Sequence, residues 1–313
     1  MVEGYFVNLG MYFTTGAKYY NRYDVLNREG YRISVDGADM EIDGYPVNDL
    51  REPVTLPAGV RPVNNAEGFY VNGSEDYYVT SANGLAAYNA YWNANKASNT
   101  ALYGRTVNIM ADIDATGITW NPPFDSPGSN ALNGFKINGN GHIISGLSLN
   151  GGLIGGQVNG SNPGTEPCTI SNLTFKNCKS TGAYHVGIIG TQIYGDIVLE
   201  NVHVIGCEVE GTCNVGGMLG RTMTEGKNAT ASFKGCTVTG TTVRAKGAEG
   251  CDPTGASIFV GCGVNFGGFT STISFDGACL ESGNTISNAE GLVGGTWWAS
   301  ATFADGAWSA EAK

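Results

Sequence analysis

The chain has 313 residues, 42% of them hydrophobic, with 28 acidic against 17 basic side chains and a formal charge of −11. That apolar share suffices for a real core and excludes a disordered chain, while the acidic balance, with no basic stripe anywhere, excludes nucleic acid as a partner. Glycine, at 48 residues, is about twice its usual share and charged residues are scarce at 14%, which excludes long solvated helices and points to short strands and tight turns.

Met1-Val-Glu-Gly-Tyr5 has no basic segment followed by an apolar one, so no export signal is expected within this chain. Residues 1–76 read as a β-rich segment with a connector. Two of its short runs, Tyr31-Arg-Ile-Ser-Val35 and Met40-Glu-Ile42, each close on an Asp-Gly turn and predict antiparallel strands. The stretch 52–72, with Pro53, Pro57 and Pro62, has no periodicity and reads as the extended connector. After it, Ser81 is placed to cap a helix near 82–97, in which Leu85, Tyr88 and Trp92 form one apolar stripe. A strand is expected over 106–113, then a loop through Trp120-Asn-Pro-Pro-Phe124, and from Phe135 onward the chain becomes short strands punctuated by glycine. The longest late apolar stretch, 256–269, is broken by Asn265 and four glycines and falls short of the ~18 residues a membrane helix needs, so no transmembrane segment is expected.

The later part repeats. Leu173-Thr-Phe-Lys-Asn-Cys178, Val202-His-Val-Ile-Gly-Cys207 and Ala231-Ser-Phe-Lys-Gly-Cys236 share apolar, glycine and cysteine slots at a step of 29 residues. A further step of 42 puts Ile273 and Phe275 in the apolar slots and Ala278 in the slot of the cysteines. A second element recurs between the copies, as Gly152-Leu-Ile-Gly155, Gly187-Ile-Ile-Gly190, Gly217-Met-Leu-Gly220 and Gly291-Leu-Val-Gly294. Strands of period two in a repeat of this length cannot bury their apolar face alone, so each copy stacks on the next. The fold class is therefore all-β: a right-handed parallel β-helix over 77–313, with the helix near 82–97 covering the open end of its core.

Tyr78-Val-Thr-Ser-Ala-Asn-Gly-Leu85, Gly117-Ile-Thr-Trp-Asn-Pro122 and Phe135-Lys-Ile-Asn-Gly-Asn-Gly-His-Ile-Ile-Ser-Gly-Leu147, followed by the Gly-Leu-Ile-Gly repeats, resemble the GLUG-repeat adhesin-like proteins of gut Bacteroidales, over residues 77–300. Residues 1–76, through Asn21-Arg-Tyr-Asp-Val-Leu-Asn-Arg28, are similar to the last strands of a fimbrillin-type sandwich. The resemblance implies a surface or secreted β-helix with an adhesive role, fimbria-associated subunits among its partners and no catalytic residues.

The residues themselves offer little catalytic chemistry. The eight cysteines contain no Cys-x-x-Cys, which argues against a structural zinc site, and no cofactor is implied. Cys178, Cys207 and Cys236 are expected to form one column of small buried residues. Its spacing of ~4.8 Å lies within the Cα range of a disulfide, so oxidation of neighbours stays open. Glu208 and Glu210 point the same way from one coil, with Lys179 and Thr181 expected below them and Thr237 and Thr239 above; a Glu208 to Lys179 surface pair is the expectation. Asp112 and Asp114 read as turn formers, and His142, His185 and His203 fall on separate coils. No catalytic residue is assigned. Outward columns Asn172/Asn201/Thr230 and Thr174/His203/Ser232 suit shallow glycan contact, and Trp297, Trp298, Tyr184 and Tyr194 are the candidates for stacking on a sugar. Trp297, Trp298 and Trp308 come after the last coil and are better read as its seals, since terminal repeats must close the core. The sequence thus predicts a non-catalytic adhesin, extracellular or on the cell surface, binding glycans or host surface molecules. Polysaccharide lyase or hydrolase activity and a purely structural stalk are the alternatives.

Overall fold

The computed structural model describes residues 32–35, 38–41, 54–73, 76–95, 104–122, 134–157, 166–224, 226–247, 256–276, 278–287 and 300–302. They fall in two units, Met1–Val54 and Thr55–Lys313. In the first, Arg32–Val35 pairs antiparallel with Ala38–Glu41, the hairpin that the Asp36-Gly37 step predicts.

The second unit is a parallel β-solenoid of about five turns. Cys168–Lys176 lies beside Ile197–Ile205 with Leu173 opposite Val202 and Phe175 opposite Val204, the expected step of 29. The step of 42 holds along the next strand, with Ala231 opposite Ile273 and Phe233 opposite Phe275, but past Asp276 it becomes 43, with Thr237 opposite Leu280, so that Cys279 and not Ala278 takes the place beside Cys236. Between these the register differs from expectation: Leu199 lies opposite Phe233 and His203 opposite Thr237, a step of 34.

The difference has a local cause. Two successive sides of these coils are five-residue units, apolar at the first and third positions and closed by a residue at positive φ. Ile197-Val-Leu-Glu-Asn201 and Val202-His-Val-Ile-Gly206 lie beside Ala231-Ser-Phe-Lys-Gly235 and Cys236-Thr-Val-Thr-Gly240. The closing φ is +51° at Asn201, +62° at Gly206, +60° at Gly235 and +58° at Gly240, a region open to glycine and, among other residues, chiefly to asparagine. Units this alike slide past one another by five residues with no break in the pattern. The additional residues lie between Met223 and Ala231, where Asp196 binds both the Thr230 amide (2.8 Å) and Lys227 (3.1 Å).

The expected single column of three thiols is accordingly split. The Cys178 amide donates to Cys207 Sγ (3.3 Å), but the neighbour on the far side of Cys207 is Thr241, whose Oγ1 accepts from the Cys207 amide at 3.2 Å. Cys236 heads a different unit, in register with Val202, and Cys279 donates nearby to the Phe233 carbonyl. Cys213 is disulfide-bonded, and the other six described cysteines are buried.

At the start of the solenoid, Ser81 Oγ accepts from the Gly84 amide (3.1 Å) and opens the helix Ala82–Asn95. Leu85, Tyr88 and Trp92 are buried. Trp92 stacks on Tyr88 (5.3 Å between centroids) and packs against Phe135 (5.0 Å) and Trp120 (6.3 Å). The stripe thus lies on the aromatic core of the first coils. Residues 52–72 are more than a connector. Val60–Pro62 and Phe69–Asn72 form an antiparallel meander with Asp76–Val79, which pairs parallel with Thr106–Ile109. Pro62 is accommodated because Val60–Pro62 is an edge strand. The boundary read at residue 77 falls inside this meander. Trp120 belongs to a short strand, not a loop, and its Nε1 donates to the Leu153 carbonyl at 2.8 Å.

The Gly-x-x-Gly elements fold one narrow side of the solenoid onto itself. Tyr184–Val186, Cys213–Gly216 and Ala256–Ser257 form a three-stranded sheet; Ile154–Gln157, Gly190–Tyr194, Leu219–Met223 and Val260–Val264 form a four-stranded one. They meet backbone to backbone. A Cβ on Gly220 would stand 2.2 Å from the His185 carbonyl carbon, and one on Gly261 2.4 Å from that of Asn214. Only glycine fits such an approach.

Candidate functional site

The outward polar columns follow the corrected register. Asn201 Nδ2 donates to Asn172 Oδ1 (3.2 Å), and the next position is Gly235 rather than Thr230. Thr174 lies opposite His203, whose Nδ1 is 2.8 Å from Thr237 Oγ1, where Ser232 was expected. Lys179 pairs with Glu208 at 2.8 Å as the sequence predicts. The residues above Glu208 and Glu210 are Thr242 and Arg244 in place of Thr237 and Thr239. Glu210 is bound by Lys246 (2.6 Å) and Arg244 (3.4 Å), and the Lys246 hydrogen bond holds its carboxyl below the usual range. Asp114 accepts from the Thr116 amide two residues on, the bond of a turn former, whereas Asp112 accepts from the Ile143 amide and contacts His142 Nδ1 on the neighbouring coil.

Of the aromatic candidates, Tyr184 is 58% exposed and presents its ring to solvent. Tyr194 is 8% exposed, with its hydroxyl bonded by Gln192, so it offers no ring face to a sugar. A residue buried at the end of a strand that packs inward cannot be told from an exposed one by type alone. Trp297, Trp298 and Trp308 lie outside the described residues.

Beside Tyr184 the structure assembles three polar side chains that the sequence reading left apart. Tyr184 lies opposite Cys213 and Val186 opposite Val215, which stacks His185 on Asn214. Both sit at positive φ, +55° and +52°. This breaks the strand alternation, and the Tyr184 and His185 rings come within 6.2 Å. His185 Nδ1 is 3.0 Å from Asn214 Nδ2, and His185 Nε2 is 3.4 Å from Arg221 Nη1. Arg221 can only donate, so Nε2 accepts and the neutral ring carries its proton on Nδ1. Nδ1–H donates to the Asn214 amide, whose oxygen therefore faces the ring while its nitrogen stays buried without a partner, as Arg221 Nε also is. The signal available in the sequence was the shared slot of His185 in Tyr184-His-Val-Gly187 and Asn214 in Cys213-Asn-Val-Gly216. Arg221 reaches them only because Gly220 allows the two sheets to touch.

Burial, and after it the Arg221 charge, push the His185 imidazole down to about 4. The folded chain therefore takes up this proton less readily than the unfolded chain, whose histidine titrates near ~6.5. The resulting stability is complete above ~6.5 and is lost as the pH falls toward 4. Urea unfolding across this range is expected to show a decline to which His185 contributes up to about 3 kcal/mol. In His185→Gln that contribution disappears and the pH profile flattens.

Neither a family model nor a solved structure matches the chain. It is 33% identical over 144 residues to halomucin of Haloquadratum walsbyi, a match that takes in 41% of this chain. The chain spans about 1% of the length of that relative.

Proposed function

We propose that the chain is the solenoid portion of a non-catalytic adhesin of the GLUG-repeat type, cell-surface or secreted, that binds glycans along its stacked face. The observation that carries this reading is the eight-pair register between Cys168–Lys176 and Ile197–Ile205. Side chains held in such columns are ordered before a ligand arrives, which lowers the entropic cost of a shallow contact, and repetition along the stack lets weak contacts add. The similarity to halomucin, by its name a mucin-type protein, supports placement at or outside the cell surface. The carboxylates Glu208 and Glu210 are each engaged by cations on the open surface, an arrangement that favours a structural role for them.

A glycan array and a mucin-coated surface, probed with the intact chain, test the reading. Binding is expected, and it weakens by about tenfold in Tyr184→Ala if that exposed ring stacks on a sugar. An array without a single bound glycan, or release of reducing ends from a polysaccharide, would reject it.

A further inference from the structure

We propose that Arg221, seated on His185 and flanked by Tyr184, is a recognition site for the carboxylate of an acidic sugar such as a uronic acid. The proposal rests on the glycan-binding reading and specifies the ligand class at this one place.

The first observation is an uncompensated charge. Arg221 is half-buried and, among the described residues, has no carboxylate partner; the hydrogen bond it makes is to the His185 ring, which is neutral and cannot offset it. Taking a guanidinium partly out of water without a counter-charge is costly. Arg221 therefore gains more from an incoming anion than a solvated surface arginine does.

The second observation is independent of the first. Asn214 is 5% exposed and stacks on His185; with Nδ1–H of the ring donating, the amide turns Oδ1 to it and leaves its Nδ2 donor buried with no partner. With Arg221 Nε also unpartnered, two buried polar groups around one imidazole are left unsatisfied, which in native proteins calls for a functional explanation. His185 and Asn214 both also hold the left-handed backbone, a conformation that costs energy outside glycine.

The chemistry of the ligand follows from the groups present. One guanidinium beside a neutral imidazole supplies a single positive charge, and its planar fork matches a carboxylate with two parallel hydrogen bonds. The exposed Tyr184 ring, 6.2 Å from the His185 ring, supplies a face for the C–H surface of a pyranose. A carboxylate carried on a sugar ring uses both. The His185 ring lies between the two and reports on either.

The test is a titration of the intact chain, carrying isotope-labelled histidine, with methyl glucuronide, methyl glucoside and a sulfated glucoside, followed at the His185 ring resonances. The expected result is a saturable shift with methyl glucuronide alone. Tyr184→Ala, a change at an exposed position, weakens it by about tenfold; Arg221→Lys weakens it comparably because the charge remains but the fork is lost; and Arg221→Met abolishes it in a chain whose unfolding midpoint is unchanged or raised. Unmoved His185 resonances in methyl glucuronide would overturn the proposal, as would an equal response to methyl glucoside or to the sulfated sugar. The two readings fail separately. Neutral glycans bound on the array with a silent His185 would sink this site and leave the adhesin, whereas a His185 response with an empty array would sink the adhesin and leave the site.

Discussion

Gly220→Ala is expected to destabilise the solenoid by more than about 3 kcal/mol, among the largest effects of any single methyl group in this chain. The added Cβ would stand 2.2 Å from the His185 carbonyl carbon, 2.4 Å from the Val186 nitrogen and 2.6 Å from the His185 oxygen. All three are backbone atoms of a hydrogen-bonded strand, so no side chain can rotate away. The narrow side must open, and Arg221 separates from His185. Gly240→Asn is the matched control. Gly240 has φ +58° with nothing within 4 Å of its virtual Cβ, and the matching corner of an earlier coil is already Asn177, at φ +52°. It is expected to change stability by no more than about 0.5 kcal/mol. Denaturant midpoints of the two variants, compared with the parent, check both numbers. A Gly220→Ala chain as stable as the parent would show that the two sheets do not touch through their backbones.

Trp92→Ala is expected to cost about 3–5 kcal/mol. The indole is fully buried and is in ring contact with Tyr88, Phe135 and Trp120, so truncation leaves a cavity at the place where the helix meets the first coils. The helix Ala82–Asn95 has no acidic residue in its first turn and no basic residue in its last to complement its dipole. Most of its stability therefore derives from this packing. Helical circular dichroism lost at a lower denaturant concentration than the β signal would reveal the helix detaching first. A single transition shifted as a whole would show that helix and coils unfold together.

Much of this architecture is legible in the sequence. Alternation of apolar residues with glycine corners gives the solenoid, and the step of 29 is correct from Cys168–Lys176 to Ile197–Ile205, as is that of 42 from Ala231 to Ile273 and from Phe233 to Phe275. The Ser81 cap and the Leu85, Tyr88, Trp92 stripe follow from helix chemistry alone. The register across Met223 to Ala231 does not, because Cys207 and Cys236 each open a five-residue unit of the same pattern, and matching thiols align the wrong units. Sequence similarity rewards that alignment, whereas hydrogen bonding is indifferent to it.

The candidate site is illegible for a different reason. His185, Asn214 and Arg221 come from three strands on two sheets, and their meeting depends on a backbone approach that no side chain announces. Tyr184 is legible only as an aromatic residue, conspicuous by type and not by its exposure. Tyr194 has the same type and the opposite environment, which only its position on an inward-packing strand determines.

The modular corner has a consequence for how such a chain varies. Because the five-residue sides of a coil end on a residue already turned out of the strand, extra chain inserted at a bend leaves the pairing of the flanking modules intact, as the stretch between Met223 and Ala231 illustrates. Loop length and loop chemistry at the bends are thus decoupled from the stack that carries them. Diversification is free to concentrate there, on a rod whose interior stays constant.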